Sequence, residues 1–224
     1  MQTPAGKIAL VTGGSKGIGR ATCLRLARDG AKVAINYSNN SSAADEVLSL
    51  IGEENATAIK ADAGNVEEIS KLVDATVEKY GKIDILVACA AIMKLNELEN
   101  VTEAELDQTF NLNKSPPHMA PGSCIILFST TQCHASTVIP NYLTYIMSKG
   151  AIEQMTRGLS KDLAQKSIIV NTVAPGPTST ELFPAGKSEQ RLKMIAGLVL
   201  RMGLDNPRRL QMLWRFWVVV QVHG

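Results

Sequence analysis

The run Thr12-Gly13-Gly14-Ser15-Lys16-Gly17-Ile18-Gly19 constrains the fold of this chain more than any other stretch. It joins an apolar, strand-like segment, Lys7–Val11, to a helical pattern over Gly17–Arg28. Glycines let the backbone turn sharply and come close to a pyrophosphate, and the free amides of the following helix N-terminus attract its charge. A glycine-rich turn alone is weak evidence. With a strand before it and a helix after it, the same turn reads as a nucleotide site. Gly13, Ser15, Lys16, Gly17, Ile18 and Gly19 are therefore the expected phosphate cradle.

The remainder of the chain repeats this alternation. Strands are expected at Lys32–Asn36, Thr57–Lys60, Ile83–Ala88, Cys124–Ser129 and Ile168–Val173. Helices are expected at Ser41–Glu54, Val66–Tyr80 and Tyr142–Ala164. In Val66–Tyr80, Ile69, Leu72, Val73 and Val77 recur at helical spacing and Gly81 supplies the stop. Strands alternating with helices predict an α/β fold, a doubly wound parallel sheet of the Rossmann kind. Its ligand crevice would lie at the carboxyl ends of the strands.

Composition narrows the partners. The 224 residues are 45% hydrophobic and 20% charged with a net charge of +2. These values suit one globular domain and give no basis for nucleic acid or an anionic membrane as partner. No apolar run reaches the length of a membrane span. Cys23, Cys89, Cys124 and Cys133 lack metal-ligand spacing, so no metal is expected and free thiols are the simpler reading. The segment Met1–Lys7 lacks the features of a signal peptide, and a cytoplasmic protein is expected.

The choice of nucleotide turns on the end of the second strand. An Asp or Glu there would accept the adenosine ribose hydroxyls and select NAD. The chain has Asn36-Tyr37-Ser38 instead, and Lys16 offers a charge for a 2′-phosphate, which favours NADP(H) over NAD(H). Lys16 reads equally well as a solvated loop charge. Further on, Tyr145 and Lys149 stand four apart near the start of a helix and so share a face. An ammonium beside a phenol lowers the phenol's pKa, which makes Tyr145 a general acid for carbonyl reduction and a base for the reverse.

Thr-Gly-x-x-x-Gly-x-Gly followed by Tyr-x-x-x-Lys resembles the short-chain dehydrogenase/reductase family. Asn171-Thr172-Val173-Ala174-Pro175-Gly176-Pro177-Thr178 resembles that family's loop against the nicotinamide. The likeness runs from Lys7 to Asn206 and is greatest to fungal trihydroxynaphthalene-reductase-like and 3-oxoacyl-carrier-protein-reductase-like members, which points to secondary metabolism. It implies an NADP-dependent oxidoreductase moving a hydride between nicotinamide and a ketone or secondary alcohol. Tyr145 would be the acid/base, and Lys149 would also bind the nicotinamide ribose. Asn113 would hold a relay water. Ser129, Thr130 and Thr131 each offer a hydroxyl to polarise the carbonyl, and Ser129 is taken. Asp62 and Ala63 would contact the adenine, with Tyr37, Ala90, Pro175, Gly176 and Thr178 completing the cofactor site. The resemblance also implies a homodimeric or homotetrameric parent fold and a small carbonyl or alcohol substrate.

Three departures stand out. Ala88-Cys89-Ala90-Ala91 replaces the family's Asn-Asn-Ala-Gly. Lys114–Gly122, with Pro116-Pro117 inside it, leaves too little chain for the usual crossover helix. From Arg208 the pattern breaks, so residues 1–207 are taken as the dinucleotide domain and 208–224 as an aberrant tail. A shifted reading frame there permits Ala-Ala-Asp-Val-Val-Ala-Phe-Leu-Gly-Gly, which resembles the helix relatives carry before their last strand. The sheet is therefore expected to lack that strand. The rival expectation is an inactive homologue that binds nucleotide without turnover.

Overall fold

The computed structural model describes residues 3–92, 119–135, 140–176, 178, 180 and 219–220. In chain order the elements are β1 (Ile8–Thr12), α1 (Gly17–Arg28), β2 (Lys32–Tyr37), α2 (Ser41–Ile51), β3 (Ala56–Lys60) and α3 (Val66–Tyr80). They continue with β4 (Ile83–Ala88), β5 (Met119–Phe128), α4 (Leu143–Ala164), β6 (Ile169–Val173) and β7 (Val219–Val220). The strands form one sheet in the order β3-β2-β1-β4-β5-β6-β7, parallel through β6. This is the doubly wound, Rossmann-like arrangement that the alternation predicts. The order reverses between β1 and β4, the point at which doubly wound sheets take their ligands at the strand carboxyl ends.

The strands of the sheet centre are apolar because both faces are covered. Successive residues of β1 point opposite ways. Ala9 and Val11 join Leu26, Val33, Ile35 and Val47 under α1 and α2. Leu10 joins Leu72, Val73, Leu86, Leu127 and Ile152 under α3 and α4. The buried stripe of α4 is partly polar, with Thr144, Ser148, Lys149 and Thr156 beside Ile152. A polar side chain goes inside only where it finds partners, and Thr156 and Thr172 hydrogen-bond to each other.

Among the described residues the parallel sheet ends at β6, in line with the expected loss of the last strand. Val219–Val220 adds a two-residue antiparallel strand beyond β6, pairing Val219 with Val173 and Val220 with Thr172. Valine's branched Cβ favours extended backbone, which suits a strand even where no period announces one. Two other boundaries shift: β5 begins at Met119 rather than at Cys124, and α2 stops at Ile51, where Gly52 takes a φ of 95°. Residues 114–118 of the shortened crossover and most of the tail lie outside the described residues, while Met119–Gly122 fall within β5.

Candidate active site

The glycine loop meets the structural demands of a phosphate cradle. Gly13 and Gly17 hold φ values of 63° and 51°. A Cβ on Gly13 would stand 3.0 Å from the Ala90 Cα, and one on Gly19 would run into the Gly13 carbonyl. Lys16, the residue before α1, makes no side-chain cap, and the first turn contains no acidic residue. The amides there are thus left for an anion, the arrangement a pyrophosphate needs.

Asn36 holds this loop in place, a role that its position at the end of β2 does not announce. Its Oδ1 accepts the Gly13 amide at 3.2 Å, and its backbone carbonyl accepts the Gly14 amide at 2.9 Å. Its Nδ2 donates to the Ala61 carbonyl at 2.9 Å. One buried amide therefore ties the loop to the end of β3, where Ala63 is buried and Asp62 is exposed. The Asp62 Oδ1 accepts the Gly64 amide at 2.9 Å. Thr12 accepts the Ala90 amide at 3.0 Å, which binds the β1 and β4 ends together. Tyr37 is half-buried, while Ser15 is buried and Lys16 exposed.

Tyr145 and Lys149 share a face of α4, as their spacing predicts, with the ammonium 5.8 Å from the phenol ring centre. The expected electrostatics differ. Burial holds the Tyr145 phenol above its ordinary pKa, although a hydrogen bond from Thr130 pulls the other way. Lys149 instead donates to the Phe128 carbonyl at 2.8 Å, and burial lowers its own pKa to about 8. With its ammonium tied to a backbone carbonyl, Lys149 does not bring the phenol down. Tyr145 keeps its proton, the form a general acid requires.

The three hydroxyls after β5 separate cleanly. Ser129, the one expected to face the substrate, turns away: its Oγ donates to Glu153 Oε1 at 2.5 Å. Thr131 is exposed and donates to the Pro175 carbonyl at 3.4 Å. Thr130, buried, is the hydroxyl that acts on the Tyr145 phenol and works against the effect of burial. Ser129 is thus held on α4, while Thr131 faces the Pro175 loop. Chain spacing measures distance along the sequence, whereas alternate residues of an extended segment face opposite sides.

Pro175 lies opposite the hydroxyl turn, with its carbonyl 3.1 Å from the Thr131 amide. Gly176 is next to it, and Thr178 donates to the Gly176 carbonyl at 3.0 Å. The candidate residues thus gather at the carboxyl ends of the parallel strands and the first turns of α4. Asn113 lies outside the described residues. Glu153 is a polar member of the cluster that sequence reasoning passes over, although Tyr145, Lys149 and Glu153 follow one another at four-residue intervals.

Fold and site together define a Rossmann-type nucleotide-binding protein with a tyrosine–lysine pair beside the cradle. The family follows from comparison with known proteins. The model of the short chain dehydrogenase family matches residues 7–191. The short chain dehydrogenase/reductase AacuN of Aspergillus aculeatus is 40% identical over 192 residues, 81% of this chain and 72% of that protein. A tetrahydroxynaphthalene reductase of Pyricularia oryzae is 36% identical over 191 residues, covering 80% of this chain and 67% of its own. Among solved structures, the angucycline C-6 ketoreductase LanV with bound NADP superposes with a TM-score of 0.81 at 31% identity. That match covers 96% of this chain and 89% of LanV. The chain belongs to the short-chain dehydrogenase family, a family of oxidoreductases.

Proposed function

We propose that this protein is an NADP(H)-dependent carbonyl reductase that forms a secondary alcohol from a ketone. The observation that carries this reading is Tyr145 on one face of α4 with Lys149, the ammonium 5.8 Å from the phenol ring centre, at the strand carboxyl ends where the glycine cradle also lies. When bound in that cradle, the nicotinamide would supply the hydride that reaches the carbonyl carbon. Tyr145 donates its proton to the carbonyl oxygen, and the Thr130 hydroxyl stabilises the negative charge that develops on it. Lys149, on the same face of α4 and held by the Phe128 carbonyl at 2.8 Å, would bind the nicotinamide ribose.

The preference for NADP(H) rests on Asn36-Tyr37-Ser38. No carboxylate stands at the β2 end to hold the ribose hydroxyls, and the Asn36 side chain is already committed to Gly13 and Ala61. Lys16 is exposed at the start of α1. The NADP in LanV supports the same choice. Three carbonyl classes fit the family likeness: hydroaromatic ketones, quinones and 3-oxoacyl thioesters.

The test is NADPH and NADH binding by fluorescence, then NADPH oxidation with 2-tetralone, menadione and acetoacetyl-CoA. NADPH is expected to bind the tighter of the two. Tyr145→Phe should lower kcat by about 10²–10⁴-fold. Thr130→Val should lower it by about 10²-fold, and Ser129→Ala by less than about tenfold. NADPH binding with no oxidation of any of the three carbonyls would refute the reductase.

A further inference from the structure

Glu153 lies on α4 one helical turn beyond Lys149 and two beyond Tyr145. Its side chain is only 13% exposed, yet the reaction described above makes no use of it. Its partners explain why a carboxylate is tolerated there. Oε1 accepts the Ser129 hydroxyl at 2.5 Å, and both carboxylate oxygens lie 3.1 Å from His134 Nε2. An ionised carboxylate only accepts, so Ser129 and His134 are both donors. Hydrogen bonds to an ionised acceptor are shorter and stronger than neutral ones. The single Ser129 proton has other acceptors within reach, the Lys149 carbonyl at 3.3 Å and Cys133 Sγ at 3.7 Å. Both are farther and uncharged, so Glu153 takes it.

Ser129 and His134 flank a short turn, the 3₁₀ segment Thr131–Cys133, and Thr130 caps its start by accepting the Gln132 amide at 3.3 Å. A carboxylate that grips the residues at both ends of a turn fixes the turn as a unit. With Ser129 drawn to Glu153, Thr130, the next residue along, is the hydroxyl of the turn that acts on the Tyr145 phenol. On the other side the turn is held by the Thr131 amide on the Pro175 carbonyl.

We propose that Glu153 is a positioning residue for carbonyl reduction: by holding Ser129 and His134 it sets Thr130 against Tyr145 and withdraws Ser129 from the substrate. The proposal rests on the reductase reading of the same site. A donor displaced by an ångström loses much of its contribution, so the effect belongs in kcat rather than in cofactor affinity. Among the described residues, the hydrogen bonds and ion pair of Glu153 go to Ser129 and His134 and none to the glycine cradle.

The experiment compares wild type, Glu153→Ala and Glu153→Gln. It measures kcat and KM with NADPH and the best of 2-tetralone, menadione and acetoacetyl-CoA, NADPH Kd by fluorescence, and folding by circular dichroism. Glu153→Ala should lose about 10–100-fold in kcat with NADPH Kd unchanged within about threefold. Glu153→Gln, which keeps an oxygen for Ser129, should recover kcat to within about threefold of wild type. A folded Glu153→Ala with wild-type kcat overturns the proposal, as does a loss of kcat matched by an equal loss of NADPH affinity. Where Glu153→Ala does not fold, Glu153→Asp replaces it: the charge stays, the reach shortens, and the same fall in kcat is expected. Wild-type kcat in folded Glu153→Asp then overturns the proposal. A wild-type chain that binds NADPH yet reduces none of the three carbonyls overturns the reductase reading and this role with it, whereas full activity in Glu153→Ala overturns this role alone.

Discussion

Lys149 carries an ammonium into the interior with 6% of the residue exposed and the Phe128 carbonyl at 2.8 Å. Burial lowers its pKa to about 8, against a smaller upward pull from Cys89 and Cys133. Between that value and lysine's ordinary one, the unfolded chain holds a proton that the folded chain has released. The Lys149 contribution to stability therefore rises with pH, by no more than about 1.4 kcal/mol per unit. The buried thiols and Tyr145, all raised, act in the opposite direction in the alkaline range. The signature is thus a difference: from about pH 8 to about pH 10, Lys149→Met should lose stability more steeply than wild type in urea unfolding. Parallel curves would contradict it. At this scale the glycine loop and the Tyr145–Lys149 pair were legible in the sequence, since their chemistry follows from spacing within one turn or one helix face. The identity of the hydroxyl facing Tyr145 was not legible. Ser129, Thr130 and Thr131 are adjacent and chemically alike, and contacts with α4 and the Pro175 loop separate them.

Helix α3 shows how much an element can owe to its ends. Asn65 accepts the amides of Glu67 and Glu68 at 2.9 and 3.2 Å, acidic residues occupy the first turn, and Lys79 lies in the last. Gly81 closes the helix with a φ of 83°, and a Cβ there would meet nothing within 4 Å. The cost of Gly81→Ala is therefore conformational alone, about 1 kcal/mol. It should lower the urea midpoint and leave NADPH affinity unchanged; a weaker Kd would place α3 in the binding machinery. Bounds such as those of α1, α3 and β4 were readable because caps, glycines and apolar period coincide within a few residues. The early start of β5 was not. Its first residues pair with β4 through an irregular register, Met119 with Ile83 and Cys124 with Ile85, which no local period announces.

Across the whole molecule, Asp84 joins the strand ends opposite the candidate site. Its carboxylate is 7% exposed and accepts the Ile8 amide at 2.8 Å, with Lys82 at 3.0 Å and Lys7 at 3.7 Å. Burial alone would raise its pKa, but the Ile8 amide and the two lysines outweigh burial and hold it below the ordinary value. A depressed carboxyl stabilises the fold fully above the ordinary Asp pKa and loses that contribution as pH falls through the folded value. Asp84→Asn should therefore be less stable than wild type near neutrality, with the gap closing below about pH 4. A gap independent of pH would refute the linkage. The sequence by itself determined the parallel α/β architecture, the glycine turn after β1 and the shared helix face of Tyr145 and Lys149, because strands, helix caps and glycine turns are written in residues close together in the chain. Only the tertiary structure decided that Lys149 turns to Phe128, that Glu153 grips Ser129, and that Val219–Val220 extends the sheet. Each of these is a contact between separate elements, and its direction is set by how α4 and the strand ends pack, which no local pattern encodes.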